Sequence, residues 1–124
     1  MSKTIPTEIS LRQKSRQLDV TFNNGEKFSY SCEYLRVNSP SAEVQGHGPG
    51  QGVLQVGKEK VNIEKIEPVG NYAVCLYFDD GHHTGIYSWE YLYKLGKQQA
   101  NLWQDYLDRL ATAGHARKTE VPQA

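Results

Sequence analysis

The chain has only two cysteines, Cys32 and Cys75, set 43 residues apart, and no Cys-x-x-Cys. That spacing makes neither a disulfide framework nor a zinc-finger pattern. Charge of either sign is not in excess: 14 Lys plus Arg face 14 Asp plus Glu. Binding driven by phosphate neutralisation needs a basic surplus, so nucleic acid is not an expected partner. No apolar run approaches the length that crosses a bilayer. The leading MSKTIPTEISLRQKSRQ has no apolar stretch like that of a secretory signal. A soluble, cytoplasmic protein without a membrane partner is expected.

Catalytic patterns are equally scarce. A non-haem iron centre needs two His and a carboxylate on one face, and no His-x-Asp or His-x-Glu occurs. The residues two after His47, His82, His83 and His115 are Pro49, Thr84, Gly85 and Arg117. The glycine-rich run Gly46-His47-Gly48-Pro49-Gly50-Gln51-Gly52 meets neither phosphate-cradling fingerprint. It reads as a surface loop. Cys32 stands at a helix start, where the dipole can lower a thiol pKa. Its counterpart in the repeat described below is Trp89, so a packed side chain is the simpler reading. Cys75 reads as core. No enzyme is expected.

What is present is pattern. With 124 residues and 38% hydrophobic content, one domain with a small core is expected. Residues 1–8 read as a flexible lead-in, 9–113 as the domain and 114–124 as a flexible tail. Ile9 and Leu11 alternate weakly with polar neighbours; Leu18, Val20 and Phe22 alternate cleanly. Asn23-Asn24-Gly25-Glu26 then predicts a hairpin with a type I′ turn, returning through Lys27 to Tyr30. Ser31 is placed to cap a short helix beginning at Cys32. Val61, Ile63 and Ile66 form a β-rich run closed by Pro68. Tyr72 to Phe78 reads as a central strand buried on both faces. Asp79-Asp80-Gly81-His82 makes a second hairpin turn, Thr84 to Tyr87 returns, and Ser88 caps a second helix. Residues 97–113 place Leu102, Trp103, Tyr106, Leu107 and Leu110 on one helical face, expected to pack on the sheet.

Two segments repeat. Tyr-Ser-Cys-Glu-Tyr-Leu at 30–35 and Tyr-Ser-Trp-Glu-Tyr-Leu at 87–92 agree at five of six positions, each after a glycine turn and a short strand. Hairpins need Gly and helix starts need Ser, but neither need explains the shared Tyr and Glu. Duplicated hairpin-plus-helix units on a small, largely antiparallel sheet give an α+β fold with a C-terminal amphipathic helix. Eight of the aromatic residues are Tyr, against three Phe and two Trp, which suits half-buried faces.

The stretches Glu33 to Gln51 and Val61 to Leu92 resemble the gamma-butyrobetaine hydroxylase-like N-terminal domain, a family of small bacterial proteins of unassigned function. The shared features are Leu-Arg, Ser-Pro-Ser-Ala-Glu and Gly-His-Gly. Pro-Val-Gly-Asn-Tyr-Ala, Asp-Asp-Gly-His and Gly-Ile-Tyr-Ser-Trp follow, within roughly Glu8 to Leu95. This domain also resembles the front of eukaryotic carnitine-synthesis dioxygenases and is attached to some Mrp-type iron–sulfur carrier ATPases. In the dioxygenases, a Cys cluster after the Leu-Arg and one later His hold a structural zinc. Here the cluster reads Ser39, Pro40, Ser41, and His82 falls at the late His. The resemblance therefore implies loss of that zinc, and the catalytic jelly-roll is absent.

The expected function is a non-catalytic binding or accessory module that docks on a protein partner, in iron–sulfur or metal handling. Its expected contact residues are Arg36, Asn38, Ser39, Ser41, Glu43 and Asp80. The alternative is a metal-binding protein using His82 and His47, with zinc or iron as the ion. No cofactor is otherwise expected.

Overall fold

Two β-β-β-α units follow one another along the chain. The structure is a computed structural model and describes residues 4–45, 53–115 and 117. The first unit contains β1 (Pro6–Arg12), β2 (Gln17–Phe22), β3 (Lys27–Ser31) and α1 (Cys32–Val37). After the short α2 (Ala42–Gln45), the second contains β4 (Ile63–Val69), β5 (Ala73–Phe78), β6 (Ile86–Ser88) and α3 (Trp89–Lys97). Helix α4 (Gln99–Thr112) closes the described elements. The class is α+β, as expected. The strands are divided into two antiparallel three-stranded sheets, β1-β2-β3 and β4-β5-β6, one per unit.

The units match in detail. Strand β1 moved by 57 residues gives β4, and the register of each breaks at the same place, between Pro6 and Glu8 and between Ile63 and Lys65. Both hairpins use one turn. Gly25 N–H donates to the Phe22 carbonyl at 3.0 Å, and Gly81 N–H to that of Phe78 at 3.2 Å. Gly25 and Gly81 have φ of +88° and +89°, while Asn24 does not enter the left-handed region. The turn is therefore a three-residue loop with a glycine bulge instead of type I′. Ser31 and Ser88 then cap their helices, accepting from the Tyr34 and Tyr91 amides at 3.0 and 3.1 Å. Each cap satisfies an N–H that has no partner inside its helix.

Both sheets face one core. Leu18, Val20, Phe22 and Tyr30 from the first meet Ile63, Val74, Leu76, Phe78 and Tyr87 from the second, with Leu35, Leu92 and Leu95 from the helices. One face of β5 is only partly covered: Ala73 is buried, but Cys75 and Tyr77 are half-exposed, which corrects the two-sided reading of that strand and the core reading of Cys75. A strand with a solvated side alternates, and the apolar run Tyr-Ala-Val-Cys-Leu-Tyr-Phe hid this because Tyr and Cys tolerate either environment. Pro68 lies inside β4, which is an edge strand and tolerates its missing N–H. Helix α4 meets more than a sheet: Tyr106 and Leu110 bury against Val37, the end of α1, with Leu54 beside them.

The halves are tied by four tyrosine hydroxyls. Tyr30 donates to the Leu92 carbonyl and Tyr87 to that of Leu35, both at 2.6 Å. Tyr34 donates to the Leu95 carbonyl and Tyr91 to that of Asn38, again at 2.6 Å. Each bond is converted into its partner by a shift of 57 residues in both donor and acceptor. The repeat is thus a pseudo-two-fold, and the tyrosine excess has a specific use. Leu35 and Leu95 lie in the last turns of α1 and α3, where carbonyls lack intrahelical partners.

Candidate functional site

The polar residues gather where the two halves differ. The end of α1 supplies Arg36, the following loop Asn38 to Ser41, and the second hairpin Asp80 and His82. Ser39 Oγ and His82 Nε2 share a hydrogen bond of 2.8 Å. Ser41 Oγ lies 3.4 Å from the same nitrogen. The residues are enclosed: relative exposure is 0% for Ser39, 8% for Ser41, 6% for His82 and 7% for Arg36.

Gly85 allows this approach. A Cβ there would lie 2.3 Å from Ser39 Oγ. The repeat places Phe28 at the position matching Gly85, and Gly96 at the position matching Ser39. In the other half the Phe28 ring fills the space, and a Cβ on Gly96 would lie 2.5 Å from it. The large and small partners are exchanged between halves, and the exchange makes room for a serine against a histidine.

Asp80 sits at the hub of the charges. Its Oδ2 accepts from Arg36 Nε at 2.9 Å and from Lys58 Nζ at 2.7 Å, and its Oδ1 from the His82 amide at 3.1 Å. Burial pushes the Asp80 carboxyl up, but the donors from Lys58, the His82 amide and Arg36 outweigh it and hold the group at about 2. Asp80 is therefore ionised throughout the neutral range. Arg36 Nη1 is buried and has no hydrogen-bond partner among the described residues.

A Ser beside a His and an Asp invites comparison with a hydrolytic triad. Asp80 bonds the main-chain N–H of His82, and Ser39 is fully buried, so no substrate carbonyl can reach its hydroxyl. Among the described residues, the fit to a zinc site is equally poor. Structural zinc takes thiolate, imidazole or carboxylate donors, and the groups facing His82 Nε2 are neutral hydroxyls. Among the described residues, no three His, Cys, Asp or Glu side chains converge. Cys32 is elsewhere: its Sγ lies 3.7 Å from Asn62 Oδ1, and burial pushes its thiol up to about 11. That removes the thiolate character its helix-start position suggested.

Of the expected contact residues, Arg36, Ser39, Ser41 and Asp80 are brought together around His82. Their burial gives Arg36, Ser39 and Ser41 a framing position, beneath the surface. Asn38 is half-buried, and its side-chain amide donates to the Tyr34 carbonyl at 3.0 Å. The side chain of Glu43 and all of His47 lie outside what the structure describes. Lys58 and Gly85 were missed by sequence reasoning. Gly85 had a signal, its mismatch with Phe28 in the repeat; Lys58 had none.

A small α+β domain of two like halves, with Ser39 and His82 buried beside the second hairpin, defines the class. The model of the family described as gamma-butyrobetaine hydroxylase-like, N-terminal, matches residues 9–93, and the chain belongs to that family. Two solution NMR structures are similar over 99% of this chain. One is 52% identical, with a TM-score of 0.82 over 92% of its own length. The other is 43% identical, with a TM-score of 0.81 over 98%. A crystal structure of a protein of unknown function from Acidithiobacillus ferrooxidans is 40% identical. It covers 73% of this chain and 91% of its own, with a TM-score of 0.62. A search of curated proteins found no significant match.

Proposed function

We propose that this chain is a non-catalytic docking module that binds a protein partner in iron–sulfur or metal handling. The observation that carries this is the burial of the Ser39–His82 pair beneath the hairpin tip that carries Asp80. Chemistry needs an approach path, and the Ser39 hydroxyl and His82 Nε2 are turned on each other below the surface. What the cluster does is fix the shape of the second hairpin tip and of the loop after α1. Lys58 and Asp80, each with a side chain 22% exposed, stand at the edge of that surface. The resemblance to a domain attached to Mrp-type carrier ATPases supplies the setting.

The test is direct binding between the purified chain and a P-loop iron–sulfur carrier ATPase, with and without its cluster. Saturable binding weakened about tenfold, or roughly 1.4 kcal/mol, by Lys58→Ala with Asp80→Asn supports the reading. Circular dichroism checks that the variant is folded. Binding that ignores both substitutions, or none at all, overturns it. Stoichiometric metal in the purified chain, lost in His47→Ala and His82→Ala, replaces it with the metal-binding alternative.

A further inference from the structure

A second polar site lies at the other end of α1. Glu33 is in its first turn, yet its side chain is only 6% exposed. It lines a cleft of about 320 Å³ with Ser31, Tyr34, Gln99, Trp103 and Arg117. Arg117 arrives from beyond α4, 84 residues along the chain. Its Nε donates to Glu33 Oε2 at 2.8 Å and its Nη2 to Oε1 at 2.5 Å. Its guanidinium carbon stands 5.1 Å from the centre of the Trp103 ring. The Arg117 side chain itself is 25% exposed.

Two features of this cleft select a guanidinium over other cations. A fork of two parallel N–H bonds fits a carboxylate, and a planar cation stacks on an indole face; an ammonium does neither as well. The cleft is also not something the repeat requires. Glu90 matches Glu33 in the second unit and is exposed. A buried carboxylate demands a cation. The cation here is carried on a post-helical segment, not on a packed strand or helix. The cleft extends beside the guanidinium, with Ser31 and Gln99 lining it.

We propose that Glu33, Trp103 and Tyr34 form a guanidinium-binding pocket that Arg117 occupies in cis, and that an arginine side chain of a partner polypeptide takes when Arg117 withdraws. This site is separate from the hairpin surface proposed above, and its test uses no partner protein. A cis occupant lowers apparent affinity by the fraction of time the pocket is filled.

The probe is N-acetyl-arginine amide, read by indole fluorescence in a Trp89→Phe background so that Trp103 alone reports. Arg117→Ala is expected to bind the probe about tenfold more tightly than the chain with Arg117. N-acetyl-lysine amide is expected to bind more weakly, and adding Glu33→Gln to Arg117→Ala to abolish the response. Equal binding with and without Arg117, or no preference for arginine over lysine, overturns the proposal. Should Arg117→Ala fail to fold, NMR of the Arg117 Nε–H in the unaltered chain decides. Displacement of that signal as N-acetyl-arginine amide is added supports the pocket, and a signal unmoved at saturating probe overturns it.

Discussion

Gly96 lies in α3, where replacing glycine with alanine ordinarily stabilises by about 1 kcal/mol. Here the sign should reverse, because the new Cβ would meet the Phe28 ring at 2.5 Å. Gly85→Ala should behave alike against Ser39. Each is expected to destabilise by about 1–3 kcal/mol, the range of overpacked cores, as measured by urea unfolding. The tyrosines make a paired prediction. Tyr87→Phe strands the Leu35 carbonyl in the last turn of α1, whereas the Leu92 carbonyl released by Tyr30→Phe lies inside α3 and keeps its helical partner. Removing one partner of a buried bond costs about 1–3 kcal/mol. The pseudo-two-fold relates the two bonds but the helix around Leu92 is longer, so Tyr87→Phe should cost more than Tyr30→Phe, and equal losses in urea unfolding would contradict this. At this scale the sequence was partly readable. The shared Tyr and Glu marked the repeat, but a phenol's acceptor more than fifty residues away leaves no local trace.

The elements were more legible than their contacts. Capping serines, glycine turns and alternation placed most strands and helices, since these depend on neighbours in sequence. The first strand of each unit was weak in the text because edge strands carry mixed, exposed residues. The second hairpin carries its own pH response. Asp80 is held at about 2 in the folded chain against 3.8 when free. Its folded value is depressed, so its contribution is present above about pH 4 and fades as pH falls towards 2. Solvent at the hairpin tip screens this to roughly 1 kcal/mol. Acid unfolding followed by circular dichroism should show it, and Asp80→Asn should flatten that part of the curve while lowering stability at neutral pH. The Ser39–His82 contact joins residues 43 apart, and spacing gave no hint of it; only the resemblance put Ser39, Ser41 and His82 into one group. Arg117 fell in a stretch read as a polar tail, because nothing local reveals that a charge will find a partner.

For the whole molecule, the core tyrosines set an alkaline limit. Burial pushes the hydroxyls of Tyr30, Tyr34 and Tyr87 well above their usual value of 10, and that of Tyr106 to about 12. Their folded values are raised, so this stability is complete below pH 10 and drains away as pH climbs past it. The tyrosinate absorbance of these four and the circular dichroism should therefore change together in one alkaline transition. A core-tyrosine absorbance that rose while the fold persisted would contradict the burial. The α+β class and the duplicated organisation were readable in advance. That each unit keeps its own sheet was not, since strand patterns do not say which edges meet.

The reciprocal tyrosine bonds have the form of an isologous interface, in which residue i meets j and j meets i. A homodimer of half-chains would make the same four contacts. The protein is thus organised like a two-fold dimer whose subunits have been joined in tandem, and it should come apart along that seam. Cut between Gln45 and Val53, the two halves should each fail to fold alone and should regain structure when mixed at equal concentration, read by circular dichroism and light scattering. A half that folded unaided would show that the exchange of hydroxyls is not what makes the halves depend on each other.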